Sequence, residues 1–385
     1  MKNIFIAGST GSVGKSAVEV ALLYPEKLSV KAIAAGHFTE ELKRQIIKLN
    51  PSYCILSLKT EMDNAKSETS GLTGIKTKFL CGEDGFSELI SNENLDIILN
   101  AISGSSGLML SYLGLKAGKN LALANKESIV MAGDILNRVA KFNKADIIPV
   151  DSEHSALFQC LNCGNKPDLK KLILTASGGP FYDLQNGAFT GVTRDMALNH
   201  PKWKMGKKIT IDSSTLANKG LEIIEAHYLF DVDEKDIEVL IHPQAVVHSM
   251  VEFMDGSVIA QMAQADIKGP IGYALSYPDR FHGLMEPLNF AQIGRLEFLE
   301  PDTQKFPFLN LAREALRVGR SMPAVFCEAN EFFVKAFLEN KISFTGIASN
   351  VRRVMEQHAP FDISSIDDVL EAKRQALAMS MPKIL

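Results

Sequence analysis

The sequence predicts an α/β protein with an N-terminal doubly wound parallel sheet, an α+β central domain and a C-terminal helical bundle. Short apolar runs alternate with amphipathic stretches up to about residue 150, and runs such as 97–99 are apolar at consecutive positions. Parallel strands covered by helices on both faces have this character. Beyond that residue the regular alternation stops, and the chain ends in two apolar stripes with helical spacing.

The chain has 385 residues, more than one typical domain, so we expect several domains with boundaries where the patterning changes. The predicted division is 1–150 for the sheet domain, 151–277 for the central domain, 278–307 for a proline-punctuated linker and 308–385 for the helical domain.

The composition is that of a globular protein, 46% hydrophobic and 22% charged, with a net charge of −4. This charge gives no global attraction for nucleic acid or anionic membranes, and no apolar run approaches the roughly 20 residues that span a bilayer. Cys160 and Cys163 are expected to be core residues, because no second ligand pair completes a zinc site. We therefore expect a cytoplasmic protein without nucleic-acid or membrane partners.

A glycine-rich turn follows the first predicted strand, residues 2–7. Gly8, Gly11 and Gly14 precede a one-sided apolar pattern that predicts a helix packed on a sheet. A G-x-x-x-x-G-K phosphate loop would need glycine at position 9, which is serine. We interpret the turn as a variant dinucleotide fingerprint that places a diphosphate at the helix N-terminus. A plain strand–helix turn is the alternative.

The second predicted strand, residues 28–35, is followed by Gly36, His37 and Phe38. Folds that select NAD place an acidic residue at the end of this strand to bind the ribose 2′-hydroxyl, and none stands at positions 31–39. The omission favours NADP, although no arginine is present there to hold the 2′-phosphate.

An apolar run at residues 147–150 ends in two carboxylates, Asp151 and Glu153. Ligands of open α/β sheets bind beyond the carboxyl ends of strands, and paired carboxylates there require a cation, a proton or water. A helix start capped by Asp151 or Ser152 is the alternative to a metal site. At the end of another strand, Lys126 either points into the same crevice or belongs to an exposed helix cap.

Two segments suggest contacts with an anionic substrate. Ser177 opens a Ser-Gly-Gly-Pro loop that is rich in backbone donors. Residues 195–208 carry His200, Trp203 and several lysines, which suggests a mobile lid that excludes water and attracts an anion. An exposed basic loop is the alternative for this second segment.

A later helix is predicted to begin with Asp212 or Ser213 as its cap. Asn218, Lys219 and Glu222 share one face of it, so an ammonium group and a carboxylate should lie close together. A surface ion pair is the alternative interpretation.

Two further patterns predict structure without a site. Alternating residues from 242 to 263, with a turn at Asp255-Gly256, predict a pair of strands. A phenylalanine-rich stripe at 325–337 predicts a core helix rather than a binding surface.

Together these motifs resemble the 1-deoxy-D-xylulose 5-phosphate reductoisomerase family. The resemblance is carried by GSTGSVG at 8–14, ANKES at 124–128, PVDSEH at 149–154, SGGPF at 177–181 and DSSTLANKGLE at 212–222, and less strictly by HPKWKMGKK at 200–208 and HPQAVVHSM at 242–250. It implies an NADP-dependent oxidoreductase that isomerises and reduces 1-deoxy-D-xylulose 5-phosphate to 2-C-methyl-D-erythritol 4-phosphate in the non-mevalonate isoprenoid precursor pathway. It also implies NADPH in the first domain, a divalent metal and substrate in the second, and a homodimer.

The resemblance implies roles position by position. The expected metal ligands are Asp151, Glu153 and Glu222, a carboxylate set that suits magnesium or manganese, with cobalt as a third option. The residues expected to act in catalysis are Lys126, Glu153 and His200. Expected substrate contacts are Lys126, Ser152, Glu153, Ser177, His200, Ser213, Asn218, Lys219 and Glu222, to which the lid position adds Trp203. Expected cofactor contacts are Thr10, Gly11, Ser12, Val13, Gly36, Asn125, Glu127 and Gly206, to which the position after Gly36 adds His37.

The chain departs from the family pattern at the cofactor turn. Many relatives carry a lysine or arginine and then an asparagine where this chain has His37 and Phe38. The lost cation removes a charge-assisted contact worth about 1.5–3 kcal/mol, so we expect NADPH to be preferred over NADH by less than in such relatives. Ala245 and Ile267 replace a common serine and methionine near the ring end of the ligand.

Two other functions fit part of the pattern. An NADP-linked dehydrogenase of another small phosphorylated or amino-acid aldehyde would continue to turn over after metal chelation. A non-catalytic dinucleotide-binding regulator would bind the cofactor without oxidising it in response to a substrate.

Overall fold

The computed structural model describes residues 1–184, 188–199 and 206–381 and separates into two compact units. The first unit comprises Met1–Ser128, Leu136–Asp151 and Ile267–Met285, and the second comprises Ile129–Ile135, Ser152–Asp266 and Glu286–Leu385. The four-part division of the sequence into domains stays a prediction.

Strands and helices alternate along the first half of the chain, and helices dominate its end. The strands are β1 (Lys2–Ala7), β2 (Leu28–Ala35), β3 (Tyr53–Leu56), β4 (Lys78–Cys81), β5 (Ile97–Asn100), β6 (Asn120–Leu123), β7 (Ile147–Pro149), β8 (Leu169–Ala176), β9 (Ile237–Ile241), β10 (Val247–Phe253) and β11 (Val258–Met262). The α-helices are α1 (Ser12–Leu23), α2 (Glu40–Leu49), α3 (Lys59–Thr69), α4 (Gly82–Asn92), α5 (Leu108–Lys116), α6 (Lys126–Asn143), α7 (Ser152–Leu161), α8 (Arg194–Leu198), α9 (Lys207–Ser214), α10 (Ala217–Phe230), α11 (Lys268–Ser276), α12 (Phe290–Ile293), α13 (Phe308–Val318), α14 (Met322–Leu338), α15 (Phe344–Gln357) and α16 (Ile366–Ser380).

The first unit is built on a seven-stranded sheet in the order β4-β3-β2-β1-β5-β6-β7. Each neighbouring pair is parallel, and Ile4, Phe5 and Ile6 of the central strand are fully buried. The strand order reverses direction at β1 and β5, which is the switch point where doubly wound sheets bind ligands. The predicted sheet is confirmed.

Helix α11 also belongs to the first unit, where this helix and the residue after it contact α1 and β1. The Lys268 ammonium lies 2.8 Å from a Glu19 carboxylate oxygen on α1. Lys2 at the start of β1 donates hydrogen bonds to the carbonyl oxygens of Leu275 and Tyr277, at 3.1 and 2.7 Å. These contacts tie a late segment of the chain to the first strand.

The second unit contains a four-stranded sheet in the order β11-β10-β8-β9. β10 runs antiparallel to both β8 and β11, which confirms the predicted pair of strands, whereas β9 runs parallel to β8. Strand β9 was not predicted from the sequence.

Four long helices, α13 to α16, complete the second unit. Phe326, Phe333 and Phe337 are buried, so the prediction that the phenylalanine-rich stripe at 325–337 is core is confirmed. Cys160 is buried in α7, but Cys163 lies beyond the end of that helix and is exposed, so the prediction that both are core residues is wrong for Cys163. No helix in the described part of the chain is both long and apolar enough to cross a membrane.

Candidate active site

The carboxylates after β7 stand at the beginning of a helix. β7 ends at Pro149, and α7 begins at Ser152 with Glu153 in its first turn, where the helix dipole favours a negative charge. The helix start that the sequence allowed as an alternative is thus present. It is compatible with metal binding, because it projects Glu153 from a fixed backbone.

In the second unit, Glu153 meets a lysine and a second carboxylate. The Nζ atom of Lys219 lies 2.8 Å from Oε1 of Glu153 and 2.5 Å from Oε2 of Glu222. It also donates to the carbonyl oxygen of Thr175 at 2.5 Å. The side chains of Lys219 and Glu222 are 3% and 0% exposed and that of Glu153 is 17% exposed, so the alternative of a surface ion pair is wrong.

Burial would by itself lower the pKa of Lys219, but the charges of Glu153 and Glu222 and the hydrogen bonds to them outweigh it. The pKa of this lysine is therefore raised, and the ammonium form persists at neutral pH. A carboxylate pair without a cation in this position would lower the free energy of unfolding by several kcal/mol, and a neighbouring cation offsets that loss.

The other two carboxylate oxygens of the pair are also engaged. Ser152 donates its hydroxyl to Oε2 of Glu153 at 2.5 Å, and the Asn218 amide donates to Oε1 of Glu222 at 2.5 Å. One oxygen of each carboxylate thus faces the Lys219 ammonium, and the other accepts from Ser152 or Asn218. Carboxylate oxygens are hard donors that fit magnesium or manganese.

Two histidines that the sequence reasoning missed lie close to this cluster. The Nε2–H of His154, fully buried on α7, donates to the carbonyl oxygen of Glu222 at 2.9 Å, and its Nδ1 lies 3.4 Å from a Glu225 carboxylate oxygen. Burial lowers the pKa of His248, and the Glu153 charge only partly opposes this, so His248 is neutral at pH 7. The HPQAVVHSM motif at 242–250 contained a signal for His248, because this histidine is one of its residues.

In the first unit, Lys126 forms an ion pair with Asp151. Lys126 is buried at the start of α6, so the alternative that it belongs to an exposed cap is wrong. Asn125 caps this helix by accepting from Ser128 N–H at 3.0 Å, and it donates to the carbonyl oxygen of Gly104 at 2.8 Å. Its amide is committed to the protein, which favours a positioning role for Asn125.

The glycine turn has the strand–turn–helix form that the fingerprint requires. Gly8 has φ of 76°, and a Cβ atom there would lie 2.4 Å from the carbonyl oxygen of Ala101. A Cβ on Gly14 would lie 2.1 Å from the carbonyl oxygen of Gly8. Thr10 and Gly11 therefore lead directly into α1, whose first residues are Ser12 and Val13 and whose first amide groups can receive an anion.

Gly14→Ala should disrupt this turn, because the methyl group would overlap backbone rather than a flexible side chain. We expect a loss of about 1–3 kcal/mol of unfolding free energy and weaker NADPH binding. Chemical denaturation and nucleotide fluorescence measure the two effects. Gly191→Ala, where a Cβ has open space around it, is the control, and equal behaviour of both variants would contradict this account.

Ser177 and Ser213, two further residues that are predicted to contact the substrate, lie at and near α9. Ser177 follows β8, and the loop after it approaches Ser213 so closely that a Cβ on Gly179 would lie 2.8 Å from the Ser213 carbonyl oxygen. Ser213 lies within α9, and α10 begins after Leu216, which has φ of 55°. The prediction that Asp212 or Ser213 caps the later helix is therefore wrong.

Asp212 has a buried role instead. Its carboxylate, 1% exposed, lies 2.8 Å from Lys208 Nζ and accepts from the Asn330 amide of α14 at 2.9 Å. Helix α14 is thus hydrogen-bonded to the segment that carries Ser213.

Asn330→Ala should leave the Asp212 carboxylate with one partner fewer in a buried position. We expect a loss of about 1–3 kcal/mol of unfolding free energy and a raised KM for the phosphorylated substrate. Denaturant titration and steady-state kinetics check these, with Asn350→Ala as a control on the neighbouring helix α15. A variant as stable as the wild type would show that the contact is unimportant.

Some predicted residues remain apart from these clusters. His200 and Trp203 lie outside the described residues, so their roles stay predictions. Gly206 precedes α9 in the second unit, and its cofactor contact also stays a prediction. His37 is paired with Glu61, an acidic residue that the sequence reasoning missed.

Family models for 1-deoxy-D-xylulose 5-phosphate reductoisomerase match residues 4–133, and models for its C-terminal domains match residues 147–230 and 262–379. The reductoisomerase of Thermodesulfovibrio yellowstonii is 47% identical over 384 residues, covering 100% of both chains. That of Geobacter metallireducens is 45% identical over 372 residues, covering 97% of this chain and 96% of its own.

Solved structures agree with these relatives. A DOX-P reductoisomerase in complex with NADPH, fosmidomycin and magnesium is 37% identical with a TM-score of 0.93, covering 100% of this chain and 98% of its own. The Zymomonas mobilis enzyme in complex with NADPH is 34% identical with a TM-score of 0.92, covering 100% of this chain and 99% of its own. By sequence and by structure, the chain belongs to the 1-deoxy-D-xylulose 5-phosphate reductoisomerase family.

Proposed function

We propose that the protein converts 1-deoxy-D-xylulose 5-phosphate to 2-C-methyl-D-erythritol 4-phosphate, with NADPH as reductant and a divalent metal. The observation that carries this proposal is the largely buried cluster of Glu153, Lys219 and Glu222, which combines two candidate ligands for a hard cation with an ammonium group. A simple hydride transfer to an aldehyde has no need for such a carboxylate pair. A skeletal rearrangement of a ketone and neighbouring hydroxyl does.

The proposed metal ligands are Glu153, Glu222 and Asp151, the last of which precedes α7 by one residue. When bound, a divalent metal polarises the substrate ketone and lowers the pKa of its hydroxyl, and NADPH supplies the hydride. Ser152 and Asn218 hold the carboxylates in place through their hydrogen bonds.

Lys126 is proposed to donate to oxygen atoms that gain negative charge during the rearrangement. Its ammonium is already oriented by Asp151, so little reorganisation is required when charge develops. Ser177, Ser213, Asn218 and Lys219 are proposed to bind the phosphate end. The proposed cofactor contacts are Thr10, Gly11, Ser12, Val13, Gly36, His37, Asn125, Glu127 and Gly206, and His200 and Trp203 are proposed for the substrate.

The direct test is NADPH oxidation with 1-deoxy-D-xylulose 5-phosphate, with magnesium and after exhaustive chelation. We expect substrate-dependent oxidation that chelation abolishes and magnesium or manganese restores. A dehydrogenase of another phosphorylated or amino-acid aldehyde would remain active after chelation. A regulator would bind NADPH without oxidising it.

A homodimer is also proposed. Strand β11 is the outer strand of its sheet, and Val258 on it is 47% exposed. Such an edge invites pairing with a second copy around a two-fold axis. Sedimentation analysis should give about twice the chain mass of 42.2 kDa, and a stable monomer would contradict the proposal.

The proposed location is the cytoplasm. All five cysteines are free thiols, as is usual in a reducing compartment. The proposed substrate and cofactor are charged phosphates that a biosynthetic enzyme meets there. Fractionation of the source cells, with the chain detected by antibody, tests this location.

A further inference from the structure

The turn after β2 has no acidic residue of its own, but an acidic side chain from another segment of the chain contacts it. Doubly wound folds that select NAD have a carboxylate at the end of this strand, which binds the ribose 2′-hydroxyl. Here the carboxylate comes from Glu61, in the first turn of α3. Its Oε2 accepts from Phe38 N–H at 2.8 Å, and its Oε1 lies 3.1 Å from Nδ1 of His37.

Glu61 is ionised in this position. The hydrogen bond from Phe38 N–H, and then that from His37, lower the pKa of its carboxyl group. The Glu61 side chain is 25% exposed and that of His37 is 73% exposed, so both are accessible to a ligand. A Cβ on the adjacent Gly36 would meet nothing within 4 Å, which leaves open space beside the turn.

The cation nearest in sequence to this carboxylate is Lys59, at the first position of α3, and the turn itself adds none. No lysine or arginine stands at positions 36–39. Nearby on α2, Lys43 is paired with Glu68 at 2.8 Å, and Arg44 is paired with Glu41 at 2.8 Å. Phe38 packs against the core cluster around Ile33 and therefore serves the fold.

We propose that Glu61 is a specificity-determining residue for the cofactor. By placing a carboxylate against His37, Glu61 weakens the preference of the protein for a cofactor with a 2′-phosphate. The inference rests on the proposed use of NADPH. A 2′-phosphate at this turn meets the Glu61 charge, whereas a 2′-hydroxyl can donate a hydrogen bond to it. The protein therefore discriminates less between NADPH and NADH than a relative with a cation at this turn.

The test is the binding of 2′,5′-ADP and 5′-AMP to the full chain by calorimetry, which isolates the 2′-phosphate and requires no catalysis. Glu61→Gln keeps an acceptor for Phe38 N–H and removes the charge. We expect it to tighten 2′,5′-ADP binding about three- to fivefold and to leave 5′-AMP within about twofold. Asp63→Asn, an equal charge change at an exposed position of the same helix, should leave both nucleotides unchanged.

Several outcomes would overturn the inference. Unchanged 2′,5′-ADP affinity in Glu61→Gln would show that Glu61 only fixes the turn. Equal weakening of both nucleotides would show a structural role, which denaturation of the variant would reveal independently. An equal gain in Asp63→Asn would show a general field effect. If wild type binds neither nucleotide, the cofactor site itself is wrong, whereas binding of both without a variant effect refutes the inference alone.

Discussion

Replacing Asp151 by asparagine should lower kcat/KM for 1-deoxy-D-xylulose 5-phosphate by a few hundredfold, about 3–4 kcal/mol of transition-state stabilisation. Asparagine has nearly the same shape, but it lacks the charge that attracts a divalent cation. It also releases Lys126, which forms an ion pair with Asp151. The proposed ligand and the proposed oxyanion donor are therefore affected together.

NADPH binding should survive this change, because the glycine turn after β1 is a separate feature of the sheet. Steady-state kinetics at saturating magnesium and NADPH fluorescence measure the two properties. Asp146→Asn is the matched control, since this exposed carboxylate precedes the same strand, β7, at its other end. Near-native turnover of the Asp151 variant would remove Asp151 from the ligand set.

The first unit is largely predictable from local sequence because its inner strands, such as β5, are buried on both faces. Consecutive apolar residues identify such strands, and the glycines after β1 identify the turn. The sequence also placed Lys219 and Glu222 together, since residues three apart share a helix face. Their observed separation of 2.5 Å confirms that prediction.

Contacts between distant segments were not predictable in the same way. Lys219 reaches Glu153 across 66 positions of sequence, and Glu61 reaches His37 across 24. No periodicity links such positions, because tertiary packing of separate elements brings them together. The resemblance to a family placed Glu153 and Lys219 in one site, but it gave no signal for Glu61.

The wrong helix cap has a local cause. Asp212 and Ser213 are favourable capping residues, and an apolar helical pattern follows them. The actual break occurs at Leu216, which adopts φ of 55°, a conformation that is rare for leucine. Asp212 is used instead to join α9 to α14 through Asn330.

Lys219 combines two roles that compete for one ammonium group. The family resemblance predicts that it binds the substrate phosphate, whereas the structure places its Nζ between Glu153 and Glu222. A divalent cation that uses these carboxylates must compete with this ammonium. Metal binding should therefore weaken the ion pairs of Lys219 with Glu153 and Glu222. The Lys219 ammonium is then freer to contact the substrate phosphate.

Lys219→Met should remove the ammonium group that competes with the metal and leave Glu153 and Glu222 without this cation. Without metal, we expect the variant to lose about 3–5 kcal/mol of unfolding free energy, because breaking a buried ion pair leaves charges uncompensated. Manganese should restore much of this loss, so the metal-induced rise in Tm should be larger than in the wild type. The KM for the phosphorylated substrate should rise and kcat should fall, because remote binding energy also positions the reacting end.

Thermal melts with and without manganese, followed by kinetics, test both parts of this prediction. Lys208→Met is the matched control, because it breaks the ion pair with Asp212, which is not a proposed ligand. Its melting temperature should fall by an amount that manganese does not restore. If manganese stabilises the Lys219 variant no more than the wild type, the ammonium does not compete with the metal. An unchanged KM would likewise remove Lys219 from the phosphate site, since the loss of an ammonium that binds a dianion must weaken substrate binding.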